Sequence, residues 1–146
     1  MKQLLTLTLL FTSTVHAGTI FVPKGMSTIN SAINSAVDGE TILVTPGTYY
    51  ETINMRGKAI TIESTHGKDV TVIDAQELST CVMFTMGETA KSILRGFTLT
   101  GGIGALHEDG RLGGGIFLHG SSPTIVACAI VKNHEAWGGG WINLQS

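Results

Sequence analysis

Short runs in which apolar residues alternate with other residues recur along most of the chain. The alternating runs are Ile60-x-Ile62, Val70-x-Val72, Val82-x-Phe84, Phe97-x-Leu99 and Ile116-x-Leu118. A continuous, mainly β-branched run, Ile42-Leu43-Val44, precedes them. A period of two predicts strands with one buried face. Glycines or polar turns separate the runs, and no second helix of useful length lies between them. This pattern argues against a sheet built from alternating strands and helices.

One segment near the N-terminus predicts a helix, from Ser27 to Val37. Ser27 is a suitable N-cap and Gly39 a suitable stop. The residues on one face are apolar: Ile29, Ile33, Ala36 and Val37. The other face consists of Asn and Ser, which have low helix propensity, so the helix must be stabilised by packing. The exposed apolar end of a stack of strands is the expected place for it.

Two all-β arrangements fit the strand pattern, a parallel β-helix and an antiparallel sandwich. Sandwich hairpins usually carry Asn-Gly or Asp-Gly at tight turns. Here Asp38-Gly39 follows the predicted helix, and Asp109-Gly110 is predicted to lie in a long polar loop. The sequence therefore favours the β-helix.

A glycine-rich motif occurs twice: Gly113-Gly114-Gly115-Ile116-Phe117-Leu118 returns as Gly138-Gly139-Gly140-Trp141-Ile142-Asn143. The offset, from position 113 to position 138, is typical of solenoids, whose coils bury their apolar face only against the coils above and below. The alignment predicts that Trp141 stacks on Ile116.

The stretch from Ile29 to Tyr49 contains Asp38-Gly39-Glu40-Thr41-Ile42 and Pro46-Gly47-Thr48-Tyr49. It resembles the N-terminal cap of the pectin-lyase-like superfamily. The later Ser121-Ser122-Pro123-Thr124-Ile125 and residues 133–140 resemble secreted bacterial β-helix repeat proteins of the cell surface or envelope. The resemblance implies an all-β fold, a right-handed parallel β-helix with an amphipathic N-terminal capping helix. The cap would span residues 18–40 and the coils residues 41–146.

The N-terminal segment, 1–17, has the layout of a secretory signal peptide. Lys2 precedes an apolar run from Leu4 to Phe11, and Val15-His16-Ala17 forms a small-x-small cleavage site. The apolar run is too short to span a bilayer. We therefore expect a mature chain, 18–146, that is secreted, periplasmic or on the cell surface. The chain stops just after a strand has begun, so we also expect it to be an N-terminal fragment with an incomplete β-helix.

Charge limits the classes of partner that the chain could bind, and the cysteines raise the question of a disulfide. The net charge is −2, with no Lys/Arg run, which excludes the electrostatic footprint of a nucleic-acid or anionic-membrane binder. No later segment approaches the length of a transmembrane helix. Cys81 and Cys128 both lie in apolar strand-like runs, so buried thiols are favoured over a disulfide, which stays open as an alternative.

A metal site is one hypothesis for the densest cluster of functional groups. His107-Glu108-Asp109 is echoed by His134-Glu135, close to one coil further along the chain. Residues one coil apart in a parallel stack lie about 4.8 Å apart, so the two sets would be near enough to bind a divalent cation such as Ca²⁺. The alternative is that they are solvated turn residues, and no other cofactor is evident.

Three further residues are candidates for chemistry or binding, and the first two each have a structural alternative. Arg95, on a strand, suits a base or a clamp for a carboxylate, or is simply a surface arginine. Asp74 is a weak candidate for a catalytic acid and otherwise a strand-end turn residue. Trp137 suits stacking on a sugar ring.

The resemblance implies more about fold than about function. Enzymes of that superfamily cleave acidic polysaccharides, but no segment here matches their catalytic motifs. The favoured hypothesis is an exported β-helix module with a structural or carbohydrate- or surface-recognition role and no catalysis in this chain. Its partner would be a polysaccharide or a cell-surface component. The alternative is a polysaccharide lyase or glycoside hydrolase acting on acidic polysaccharide. A third, last-ranked hypothesis is surface binding through threonines, namely Thr61, Thr71, Thr98 and Thr100.

Overall fold

The computed structural model describes residues 17–107, 110–134 and 141–144. All of the predicted signal peptide except Ala17 therefore lies outside the described residues. The described residues form one helix and fifteen strands. In chain order they are β1 (Thr19–Val22), α1 (Ile29–Ser35), β2 (Thr41–Val44), β3 (Gly47–Tyr49), β4 (Ile53–Asn54), β5 (Thr61–Ser64), β6 (Thr71–Asp74), β7 (Val82–Phe84), β8 (Ile93–Arg95), β9 (Thr98–Thr100), β10 (Ala105–His107), β11 (Gly110–Leu112), β12 (Ile116–His119), β13 (Thr124–Val126), β14 (Ala129–Ile130) and β15 (Trp141–Leu144). Within these ranges, no helix is both long and apolar enough to cross a membrane.

Three parallel sheets contain thirteen of these strands. The first sheet has the order β1-β2-β5-β8-β13, the second β3-β6-β9-β14 and the third β4-β7-β12-β15. After β1, the chain adds one strand to the first, the second and the third sheet in turn, and it makes four such passages. The predicted all-β class with parallel pairing is thus confirmed, with one short helix.

Side chains of the same register stack into apolar rows on the inner faces of the sheets. In the first sheet Ile42 pairs with Ile62 and Ile62 with Leu94, and all three are fully buried. Corresponding rows from the second and third sheets belong to the same core cluster. Each passage therefore buries its apolar face mainly against the passages before and after it.

The repeat predicted from the glycine motif is present in the strand register. Strand β12 pairs in parallel with β15, and Ile116 lies opposite Trp141. The offset read from the sequence is therefore the offset at which these two strands stack.

The predicted inward face of β6 was wrong by one residue. Val70 is 48% exposed, whereas Thr71 and Ile73 are fully buried. The Thr71 hydroxyl lies 2.7 Å from the Ser64 hydroxyl, so the buried polar group is hydrogen-bonded. This bond removes most of the desolvation penalty that would otherwise keep a threonine out of the core.

The predicted long polar loop around Asp109-Gly110 contains a pair of antiparallel strands. Strand β10 pairs with β11, with Ala105 opposite Leu112 and His107 opposite Gly110. The sequence analysis did not predict these two strands within the loop.

Helix α1 begins and ends within the predicted segment. Its N-cap is Thr28 and not Ser27, because the Thr28 side chain accepts a hydrogen bond from the Ser31 backbone N–H while the Ser31 hydroxyl accepts one from the Thr28 N–H. The prediction that Val37 lies on the buried face was wrong, since the helix ends at Ser35. Ala32 is buried instead. Strands β1, β2 and β4 contact the helix.

Two charged side chains from the first passage hold the ends of α1. The Glu51 carboxylate accepts hydrogen bonds from the backbone N–H groups of Ile29 and Asn30 at 2.9 and 3.0 Å. The Lys58 ammonium donates to the carbonyl oxygens of Ile33 and Ala36 at 2.5 and 2.7 Å. The helix has no acid in its first turn and no base in its last, so these distant residues complement its dipole.

Replacing Lys58 by methionine should lower the free energy of unfolding by about 2 kcal/mol, because the helix carbonyls lose a charged donor while the side-chain stem is kept. Urea unfolding followed by circular dichroism measures the change. Lys68→Met is the matched control, since Lys68 pairs with Asp69 at an exposed site and its replacement should cost less than about 1 kcal/mol. Equal effects of the two substitutions would contradict the assigned role of Lys58.

Candidate functional site

Arg95 lies on the outward face of the first sheet, at the end of β8. Its guanidinium is 3.8 Å from the Glu63 carboxylate, and its side chain is 46% exposed. Glu63 lies opposite Arg95 on the neighbouring strand β5. The arrangement is a cross-strand ion pair that leaves part of the guanidinium open to a ligand.

A groove lies beside this pair, where the chain enters the first sheet. It has a volume of about 460 Å³ and is lined by Asp38, Gly39, Ala59, Thr61, Lys91 and Ile93. Lys91 and Arg95 are both exposed, Lys91 in the turn before β8 and Arg95 at the end of that strand. The sequence did not single out Lys91, because a lone surface lysine carries no pattern.

The outward threonines of the first sheet form a row that the sequence analysis did not identify. Thr19 pairs with Thr41 and Thr41 with Thr61, while Ile93 interrupts the row before Thr124. Of the threonines named for surface binding, Thr71 is buried in the core and the Thr98 hydroxyl donates to a backbone carbonyl. That set therefore does not form one exposed array.

Asp74 lies at the end of β6, in the second sheet, and it is only half-buried. Its carboxylate accepts a hydrogen bond from the backbone N–H of Gln76 at 2.8 Å. This is the geometry of a strand-end turn residue. Arg95 is in the first sheet, so the structure places the two catalytic candidates on different sheets.

Most of the predicted metal ligands, and the tryptophan predicted to stack on a sugar ring, lie outside the described residues. Glu108, Asp109, Glu135 and Trp137 are not among the described residues. His107 is the last residue of β10. His134 is exposed, and its backbone N–H donates to the Gly102 carbonyl oxygen at 2.7 Å. Both histidines belong to connections from the second sheet to the third. In the described part of the chain, no three His, Cys, Asp or Glu residues form a metal-binding group. The metal site and the role of Trp137 stay predictions.

Glu88 is a buried acid that sequence analysis did not identify. It is 2% exposed, and its carboxylate accepts hydrogen bonds from the backbone N–H groups of Gly57 and Met86 and from the Ser121 hydroxyl, at 2.7 to 2.9 Å. These donors come from three successive connections between the third sheet and the first. Burial alone would raise the pKa of Glu88, but these hydrogen bonds outweigh it and lower the pKa.

Both cysteines are free thiols, as the sequence analysis favoured. Burial raises the pKa of the Cys81 thiol to about 12 and also raises the pKa of Cys128. Cys81 donates to the Thr100 carbonyl oxygen at 3.0 Å. Since the thiolate is the reactive form, neither side chain is suited to act as a nucleophile near neutral pH.

The chain matches no protein-family model and shows no significant similarity to any curated protein. The likeness to pectin-lyase-like proteins therefore rests on the residues quoted above.

Proposed function

We propose that the chain is an exported right-handed parallel β-helix module of the pectin-lyase-like type. Its role is to recognise a carbohydrate or another component of the cell envelope. Three features support the β-helix: the fixed order in which the chain visits three parallel sheets, the in-register side-chain rows and the single core cluster. Connections between parallel strands of one sheet are almost always right-handed, which supports a right-handed coil. Helix α1, held at both ends, acts as the cap of the first coil.

The outer face of the first sheet is the recognition surface. The observation that carries this assignment is the presence of two exposed cations, Lys91 in the turn that lines the groove and Arg95 at the end of the strand that follows it. Carboxylate groups on an extended polysaccharide would pair with them, and a planar guanidinium suits a carboxylate best. The Thr61 hydroxyl in the groove adds a donor and acceptor for sugar hydroxyls.

A polysaccharide lyase or hydrolase is the alternative, and the geometry supports it less. Arg95 already faces Glu63, and Asp74 belongs to another sheet. Glycoside hydrolysis needs two carboxyl groups on opposite sides of one bond, and the proposed surface offers no such arrangement among the described residues.

The test is retention of the chain from Gly18 onward on immobilised pectate and alginate. We expect Arg95→Ala and Lys91→Ala each to weaken binding at least about tenfold, since each removes a charge-assisted contact. Lys68→Ala removes an equal charge from another part of the surface and should leave binding nearly unchanged. The same samples of polysaccharide are assayed for unsaturated products, which a lyase releases, and for new reducing ends, which a hydrolase releases.

Absence of retention by the folded wild-type chain, or equal retention by the Arg95 and Lys68 variants, would reject the recognition surface. Product formation would favour the enzymatic alternative and direct attention to Arg95.

A further inference from the structure

Phe21 is an exposed aromatic side chain on the outer face of the first sheet. It lies on β1 and is 45% exposed. The register places Leu43 on β2 opposite Phe21, and Glu63 on β5 opposite Leu43. Arg95 on β8 lies opposite Glu63 in turn. Phe21 and Arg95 therefore belong to one outward row, three strand spacings or roughly 14 Å apart.

An open pocket lies beside Phe21, at the turn that follows β1. It has a volume of about 370 Å³ and is lined by Phe21, Lys24 and Gly25. The Phe21 carbonyl oxygen accepts hydrogen bonds from the backbone N–H groups of Gly25 and Met26, at 2.7 and 3.0 Å. These bonds fix the backbone of the turn, so Lys24 stays beside Phe21. The Lys24 side chain is exposed, and no carboxylate among the described residues forms an ion pair with it.

Threonines form the outward row next to Phe21. Thr19, Thr41 and Thr61 are in register on β1, β2 and β5, and each lies two residues before a member of the Phe21 row. Their hydroxyls are able to donate to sugar hydroxyls and to accept from them. The surface from Phe21 toward Arg95 is therefore flanked by hydroxyl groups.

The acids of this face are either paired or distant from Lys24. Lys24 follows β1, so it lies at the end where the parallel strands leave the sheet. Asp38 and Glu40 precede β2, at the opposite end, and their carboxylates accept hydrogen bonds from backbone N–H groups. Glu63 faces Arg95 at 3.8 Å. In the described part of the chain, a ligand carboxylate next to Phe21 would thus meet Lys24 without an unpaired acid beside it.

We propose that Phe21 and Lys24 form a second contact point for an acidic polysaccharide on this face, an inference that rests on the recognition role proposed above. One uronic acid residue packs the apolar C–H face of its ring on Phe21 and pairs its carboxylate with Lys24. Another residue of the same polymer pairs with Arg95. The polymer thus crosses β2 and β5 beside the threonine row.

The mixture of groups on this face favours a charged sugar over other occupants. An apolar helix or a lipid surface needs a contiguous apolar patch. Here a single aromatic ring is followed along its row by Leu43 and then by the Glu63–Arg95 ion pair. An aromatic platform, hydroxyl groups and separated cations match the ring faces, hydroxyls and spaced carboxylates of a polyuronate.

The probe is a length series of oligogalacturonates, from the disaccharide to oligomers that reach from Arg95 to Phe21. Each is titrated into the chain from Gly18 onward by isothermal calorimetry. We expect the affinity to rise steeply at the length that joins the two contact points, because the second contact is then intramolecular. Phe21→Ala should remove this rise and weaken binding of the long oligomers about tenfold.

Three further kinds of variant separate ring stacking from other effects. Phe21→Trp keeps an aromatic face and should retain binding, whereas Phe21→Leu keeps an apolar side chain without that face and should lose most of it. Lys24→Ala should weaken binding at low salt and have little effect at high salt, since exposed charges are screened. Tyr50→Ala removes an exposed aromatic ring outside the first sheet and should leave binding unchanged. Circular dichroism verifies that all variants are folded.

The outcomes distinguish this contact from the recognition role itself. Binding of long oligomers that Arg95→Ala weakens, but that Phe21→Ala and Lys24→Ala leave intact, would overturn the second contact point and leave the recognition role standing. Absence of binding to every oligomer by the folded wild-type chain would reject both. Equal binding by Phe21→Leu and wild type would overturn the stacking of a sugar on Phe21. A dimer of the chain in solution that Phe21→Ala abolishes would overturn the proposal by assigning Phe21 another occupant.

Discussion

Replacing Gly102 by alanine should lower the free energy of unfolding by at least about 3 kcal/mol, or abolish folding. An added Cβ at this position would overlap the carbonyl oxygen of Gly114 and would lie 3.0 Å from the Asn133 side-chain oxygen. Gly102 is buried, and its nearest neighbours at this point are backbone atoms, which cannot move aside as a flexible side chain can.

Hydrogen bonds on both sides prevent Gly102 from shifting away. Its N–H donates to the Asn133 side-chain oxygen at 2.8 Å, and its carbonyl accepts from the His134 N–H at 2.7 Å. Asn133 in turn donates to the Leu99 carbonyl at 3.0 Å. Relief of the overlap would therefore break contacts that tie the third passage to the fourth.

Gly120→Ala is the matched control for Gly102→Ala. Gly120 has a φ of 58° and an added Cβ would meet nothing within 4 Å, so only backbone strain of about 1 kcal/mol is expected. Chemical denaturation of both variants measures the difference. Equal stability of the two would show that the passages are not in close contact at Gly102.

Replacing Glu88 by glutamine should lower the free energy of unfolding by about 3 kcal/mol at pH 7. The carboxylate accepts from three donors in three connections, and an amide would place an NH₂ group against at least one of them. A buried donor left unpaired costs about 1–3 kcal/mol, and the loss of charge weakens the remaining bonds. Asp69→Asn, at an exposed position, is the control and should change stability by less than about 0.5 kcal/mol.

The Glu88 contribution should depend on pH in one direction. The pKa of Glu88 is lowered in the folded state from its ordinary value of 4.5, so the unfolded chain binds the proton more readily. The stabilisation is therefore complete above about pH 4.5 and is lost as the pH falls through the folded-state pKa. The stability difference between wild type and Glu88→Gln should shrink in acid. A difference that stays constant from pH 7 to pH 3 would contradict this role.

Sequence periodicity predicted the architecture of the strands better than their details. The glycine repeat located the Ile116–Trp141 register, because stacked passages place equivalent residues at equal offsets. The phase of β6 was not predictable, because the hydrogen bond that buries Thr71 comes from Ser64 on another strand. Likewise, the N-cap fell on Thr28 because Ser31 completes the capping box.

The residues that bind the structure together were mostly invisible in the sequence. Glu88, Lys58 and Glu51 are single charged residues in polar turns, and each acts on backbone groups far away along the chain. No local pattern marks such contacts. Arg95 was identified as an outward strand residue, but its partner Glu63 depends on the register of β5 and β8.

The most direct test of the stacked architecture is disulfide mapping by mass spectrometry in three double-cysteine variants. One outward register pair is taken from each sheet: Thr41 with Thr61, Val72 with Thr98, and Asn54 with Met83. Paired strands lie about 4.8 Å apart, within the Cα separation that a disulfide spans. A Thr41–Glu63 pair, shifted by two residues to roughly 8 Å, is the control that should not form. We predict that all three register pairs form under mild oxidation while the protein stays folded. Failure of any sheet's pair, or equal formation of the shifted pair, would contradict the parallel stack and favour an antiparallel sandwich.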